Sequence, residues 1–430
     1  MPNLNSKDKQ TYWTQRAEQR LINAENLTSD MLANLKTTYE ATIKSLEKEI
    51  NAFYGKYATE TGLSLEDVRK RLNSKELKDF KTQLKKYYDE VQRLGGYSPD
   101  TKLYLRELSA KAYISRLEEL QAQMRWQVEN LYRTQQLKLF DVLSKGYEDT
   151  YLRATFDMQQ GIGFAYSFNT LDDNKVRLAV TQKWQGSNFS DRIWADKARL
   201  IDTLNTAIPQ GVALGQNPRK VAQTIAKSMN TRYSNAERLA RTEMSHIANE
   251  SSRQAYNEVP EVLQEYKIVA TLDNRTSDIC QNQDGHVYKM SEWEEGITAP
   301  PFHPSCRSCT IPYFPEMDNA EYTRIATDYE TGKSYFVPAN LNYKEWYNSL
   351  SENQQKYFIA DKKIREQHSQ DKKQLAEYRK LQTYANKNGK SELFEGMPHS
   401  LNEYQTLKYT EPEKYEILKE NARIIRSEIK

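Results

Sequence analysis

Four side chains in one short region could together hold a metal ion. The chain has only three cysteines in 430 residues, and two of them fall in PPFHPSCRSC, residues 300–309. His303, Cys306 and Cys309 read H-x2-C-x2-C, and Cys280 stands upstream, 22 residues intervening before His303. Thiolates and imidazole suit zinc, and four of them complete a tetrahedron. A C-x2-C turn can aim two sulfurs at one centre, while the intervening stretch loops out and returns with the other ligands. Pro300, Pro301 and Pro304 stiffen the backbone around His303 and lower the entropy lost on binding. Four protein ligands leave no open position, so the expected zinc is structural. Such a centre carries net negative charge, which Arg307 could offset. Three cysteines cannot all pair, so a disulfide framework does not explain them. The alternative is three unlinked thiols with a nearby loop histidine. His286, after the turn QDGH, is a spare ligand or a surface histidine.

Other chemistry-bearing residues read more plainly. Asp273, Asp278, Asp284, Glu292, Glu294 and Glu295 crowd the cysteine region and are expected to form a solvated loop rim. TGKS at 331–334 lacks the first glycine of a phosphate loop, since position 327 is threonine, so a nucleotide site is rejected. GIGFAYSFN lacks the third glycine of a dinucleotide fingerprint and reads as a turn or bend. Arg241, Thr242 and Glu243, with Asn249, could form a polar site, but Arg241 is also the i+4 partner of Glu237. His246 reads as a packed or surface histidine rather than a base. No serine has an elbow or triad context.

These residues need elements to position them. Leu32, Leu35, Tyr39, Ile43, Leu46, Ile50 and Phe53 form one helical stripe, and Tyr113, Leu117, Leu120, Met124, Val128 and Leu131 a second. Between them, residues 62–91 interleave charges of both signs, as on a solvated helix face. Pro218 starts a helix. A second helix is predicted over 233–258, with Ser234 and Glu237 as its capping box and Pro260 near its end. YKIVATLD, 266–273, is the best strand candidate.

Composition agrees with long helices: 15 glycines and 13 prolines are few for this length, and straight-chain residues abound. The 29 tyrosines suit broad contact surfaces, where a ring packs and its hydroxyl stays wet. A net charge of +3 does not announce a nucleic-acid binder. MPNLNSKDKQTYW has no apolar run of a secretory signal, and no stretch is long enough to span a bilayer, so a chain made in the reducing cytosol is expected. The expected fold is mainly α with a small α+β zinc-stapled domain. The expected divisions are a long-helix region at 1–150, the Cys/His-bearing domain at 151–315 and a polar helical region at 316–430.

The order of motifs resembles a known family. ARTEMSHIANESSRQAY is followed by a strand, then DNRTSDICQNQDGHVY, then APPFHPSCRSCTIPYF. This series resembles the head morphogenesis domain of tailed bacteriophages, the Mu F-like or minor head protein family. The corresponding residues are Arg241, Thr242 and Glu243; Asp273, Arg275, Thr276, Ser277, Cys280, Asp284 and Gly285; and Pro300, Pro301, His303, Pro304, Cys306, Arg307 and Cys309. Ser277 stands where some relatives have a cysteine, and CRSC replaces a shorter CRC. The resemblance covers roughly residues 150 to 315; YWTQRAEQRL and the C-terminal segments are similar to minor capsid proteins more loosely.

The resemblance implies a non-enzymatic virion component, a few copies inside the head near the portal, acting in procapsid assembly and in DNA packaging or ejection. Its implied partners are the portal protein, scaffold or major capsid protein, and phage DNA, with no membrane. Some relatives carry a toxin or ADP-ribosyltransferase module, but the tail here shows no catalytic constellation; the acidic and histidine-bearing neighbourhood of the cluster makes a zinc-dependent nuclease or an ADP-ribosyltransferase-like enzyme the competing expectation.

Overall fold

The computed structural model describes residues 6–55, 71–93, 96, 98–162, 171–314, 323–366, 375, 377–379, 381–382 and 397–428. The turn expected at GIGFAYSFN lies mostly outside the described residues, as does the start of the 62–91 stretch. Contacts group the chain into two compact units. One is Gln19–Pro260 with His303–Cys306; the other is Met1–Glu18, Glu261–Phe302 and Arg307–Lys430.

The first unit is helical. Its elements are α1 (Ser6–Gly55, most of which falls here), α2 (Ser74–Arg93), α3 (Pro99–Ala110), α4 (Arg116–Ile162), α5 (Asp173–Thr181), α6 (Phe189–Ala213) and α7 (Pro218–Tyr256). Asp172, Asn188 and Asn217 cap α5, α6 and α7 by accepting first-turn backbone N–H groups. The predicted α1 stripe is buried, with Ile43 packed at its edge. It meets Leu120, Met124, Val128 and Leu131 of α4, Ile193, Leu200 and Leu204 of α6, and Ile225, Met229 and Met244 of α7 in one core. At Gly211 of α6 a Cβ would lie 2.5 Å from Val221 Cγ2, so the two helices approach through a glycine. A smaller cluster joins Phe80 and Leu84 of α2 to Leu105 and Leu108 of α3.

Polar side chains cross this core in matched sets. Tyr132 donates to Asp196 at 2.9 Å, and Asp196 also accepts from Arg232 at 2.9 Å, Arg199 at 3.1 Å and Asn235 at 3.2 Å. Lys197 lies 2.6 Å from Glu129, both fully buried, with Ser98 and Thr101 hydroxyls donating to the carboxylate. A charge this deep needs every partner it has.

Two expectations change. α7 is a single helix, so Ser234 lies in its middle, its hydroxyl donating to the Asn230 carbonyl at 3.2 Å, and the capping box does not form. The helix has already started at Asn217, and nothing at Ser234 interrupts its backbone ladder. Tyr113 precedes α4, exposed, under the Arg71 guanidinium.

The second unit holds a three-stranded antiparallel sheet of order β2-β1-β3: β1 Glu265–Val269, β2 Val287–Lys289 and β3 Cys309–Tyr313. Helix α8 (Asp278–Gln283) stands between β1 and β2 in sequence. A hairpin follows, β4 (Thr323–Thr327) paired with β5 (Ser334–Pro338), then α9 (Tyr343–Ser349), α10 (Glu352–Glu366), α11 (Leu401–Thr410) and α12 (Pro412–Glu428). Leu272, Ala326, Val337, Tyr343, Trp346 and Phe358 pack as one cluster. The region expected to be helical from 316 therefore contains a hairpin, and TGKS is its turn, Gly332 supplying the positive φ of 69°. The chain is mainly α with a small α+β region. Among the described residues no helix is long and apolar enough to cross a membrane.

Candidate metal centre

Helix α8 is short and begins at Ser277, whose hydroxyl oxygen accepts the Cys280 N–H at 3.4 Å. That cap fixes the turn bearing the buried thiol of Cys280. The second ligand loop follows a cis Pro300–Pro301 bond. It turns back at Ser305, whose φ of 60° is left-handed, and the Cys306 N–H donates to the His303 carbonyl at 3.1 Å. The Ser305 N–H donates to the Thr242 hydroxyl at 2.9 Å. His303 Nδ1 lies 2.9 Å from the Pro304 carbonyl oxygen.

Cys280, His303 and Cys306 each offer one ligand atom, and these atoms lie within 4.8 Å of one another. Two thiols and an imidazole converging on one centre, two of the three buried, are a donor set that fits a soft divalent metal such as zinc. Cys309 is not among them. It opens β3 opposite Val269, its Sγ 3.8 Å from the Val269 carbonyl oxygen. His286 is exposed beside Tyr288 and takes no part.

The acidic residues divide. Asp273 and Asp284 are buried rather than on a solvated rim. Asp273 accepts two 2.7 Å hydrogen bonds from Arg307, the Arg275 N–H at 2.9 Å and the Thr276 hydroxyl at 3.0 Å. Burial would raise its carboxyl, but the bonds and charge of Arg307 override burial and hold it below the usual aspartate range. Asp284 takes Arg324 at 2.9 and 3.1 Å and the Ala270 N–H at 2.7 Å. The loop from Asp273 is also anchored from later in the chain: Tyr343 donates to the Asp273 carbonyl at 2.7 Å, and Asn274 reaches the Phe358 carbonyl and Asp361. The partners Arg324 and Tyr343 carry no motif that sequence reading could have singled out.

On α7 the R-T-E residues are all engaged. Arg241 pairs with Glu237 at 3.2 Å, as its spacing predicts. Thr242 accepts Ser305. Glu243, 2% exposed, takes the Trp184 indole N–H at 2.8 Å and an ion pair from Arg192. His246 is buried and stacks on Trp184 with ring centroids 4.4 Å apart.

A capped helix, a three-stranded sheet and a Cys/His loop define a small α+β module attached to a mainly helical chain. The Phage Mu protein F like family profile matches residues 202–311, from within α6 to β3. The chain is 25% identical over 218 residues to the minor head protein GP7 of Bacillus phage SPP1, covering 50% of this chain and 68% of that protein. It is 23% identical over 248 residues to the NAD(+)--arginine ADP-ribosyltransferase EFV of Enterococcus faecalis. That likeness covers 57% of this chain and 48% of the other, so the chain spans about half of that relative's length. No solved structure matches. Residues 202–311 thus match the Mu F-like family, and over half its length the chain is similar to a phage minor head protein.

Proposed function

We propose that this chain is a non-enzymatic minor head protein that docks on the portal during procapsid assembly and assists DNA packaging or ejection. On this reading it sits inside the head near the portal, with scaffold or major capsid protein and phage DNA as further partners. The observation that carries the non-enzymatic part is Glu243. Its carboxylate is buried and committed to Trp184 and Arg192, so the most conspicuous acid of the family-matching segment holds helices together. A general acid or nucleophile needs a face toward substrate.

A structural zinc belongs to the same reading. Cys280, His303 and Cys306 would hold it, and Cys309, three residues past Cys306, would supply the fourth thiolate. The metal's contribution there is cohesion: it ties the α8 turn to the proline-rich loop without an open position for water.

The likeness to an ADP-ribosyltransferase favours a second reading, an enzyme acting on arginine with NAD. The experiment is co-sedimentation of the purified chain with portal rings from the same phage, run beside an NAD-turnover assay. Saturable binding to the ring without turnover supports the assembly role. Turnover that vanishes with Glu243→Gln, with no ring binding, supports the enzyme.

A further inference from the structure

The helical unit contains a cleft of about 390 Å³ that the assembly reading leaves unused. That volume falls within the range of small-ligand pockets. Its walls come from α4, α6, α7 and the Trp184 turn, and Pro304 also lines it.

The cleft is rich in guanidinium groups. Arg192, Arg199 and Arg238 line it, and Arg232 reaches Asp196 from α7. Against these four cations stand two carboxylates, Asp196 and Glu243, an excess of two positive charges. Both carboxylates are already saturated. Asp196 accepts Tyr132, Arg199, Arg232 and Asn235, and Glu243 accepts Trp184 and Arg192. Arg238 has only the Asn235 amide oxygen, at 3.3 Å, and no carboxylate among the described residues.

Arg192 is already ordered. It donates to the Trp184 carbonyl at 2.8 Å, pairs with Glu243, and lies 4.7 Å from the Trp184 ring centroid. A guanidinium fixed in this way has little rotamer entropy left to lose. Arg199 and Arg238 remain exposed and can swing toward an incoming group. Planar forks converging on one cleft with unbalanced charge are the arrangement that grips a phosphate oxyanion through paired N–H bonds.

We propose that this cleft binds a phosphate or diphosphate group, carried either by a nucleotide or by a DNA backbone. The proposal does not depend on portal docking, because ligand binding is read on the purified chain alone.

The test titrates the full chain with inorganic pyrophosphate by calorimetry at low salt, and with a labelled duplex oligonucleotide by fluorescence anisotropy. Arg199→Gln and Arg238→Gln are compared with the parent; both positions are exposed, and unchanged melting certifies their folds. One saturable pyrophosphate site, weakened about tenfold by each substitution, supports the cleft. If pyrophosphate also displaces the duplex, and Arg238→Gln lowers the salt slope of duplex binding by about 1, a DNA backbone is the source. If pyrophosphate binds and the duplex is not displaced, a nucleotide is the source. No pyrophosphate binding, or binding unchanged in both variants, overturns the proposal.

Discussion

Arg307 grips Asp273 through two hydrogen bonds of 2.7 Å. In the sequence Arg307 sits between two thiols and looks like a counter-charge for them. In the structure its guanidinium is matched to a carboxylate that closes the loop leading to Cys280. The pair therefore joins the CRSC loop to the DNRTSD loop, the two segments that carry Cys306 and lead to Cys280.

Asp273→Asn and Arg307→Lys should each loosen metal retention by about 10–100-fold, the usual cost of disturbing groups that orient ligands. Competition with a zinc chelator measures it. The Asp273 carboxyl is depressed in the folded state, so its contribution is present above the ordinary aspartate pKa and fades as pH falls through the folded value. Asp273→Asn should flatten that acid limb in a series of urea melts. Equal chelator sensitivity in parent and variants would show that the clamp does not position the ligands.

Glu18 should act in the opposite direction. Burial pushes its carboxyl up to about 7, against the charge of Arg324 and the Ile325 backbone bond, which lower it. The folded chain then holds a proton that the unfolded chain has released between about pH 4.5 and 7. Stability at this site falls as pH rises through that window. Glu18→Gln should remove the dependence and raise the melting temperature above pH 7 relative to the parent. Parallel pH profiles for the two proteins would contradict it.

Glu243→Gln breaks an ion pair whose carboxylate is 3% exposed and whose arginine is 24% exposed. The expected loss is about 2–4 kcal/mol, short of the fully buried case because Arg192 keeps some water. Chemical denaturation reads it. Arg192→Met in the same background should recover part of the loss, since removing both charges leaves neither unpaired.

The long helices were legible because apolar side chains recur every three or four residues. Leu32 through Phe53 follow that rhythm, and so does the core face of α4. The ligand loop was legible because so few cysteines stand in so small a space. Ser234 misled because a serine–glutamate pair reads the same in the first turn or the middle of a helix; only the backbone upstream distinguishes them. Asp273, Asp284 and Lys197 were not legible as buried charges. Their partners Arg307, Arg324 and Glu129 lie 34, 40 and 68 positions away, and local pattern carries no record of such pairings. The β4–β5 hairpin was missed because its five-residue strands sit among polar residues and owe their burial to Tyr343, Trp346 and Phe358 downstream.

Metal analysis of the purified full chain tests the staple most directly. About one zinc per chain is expected. Cys306→Ser and Cys309→Ser should both lose it and melt earlier, with hydrogen exchange rising first across residues 265–313. A parent chain that carries no zinc, and whose melting and exchange are the same with and without added metal, would contradict the claim that an ion holds this module together.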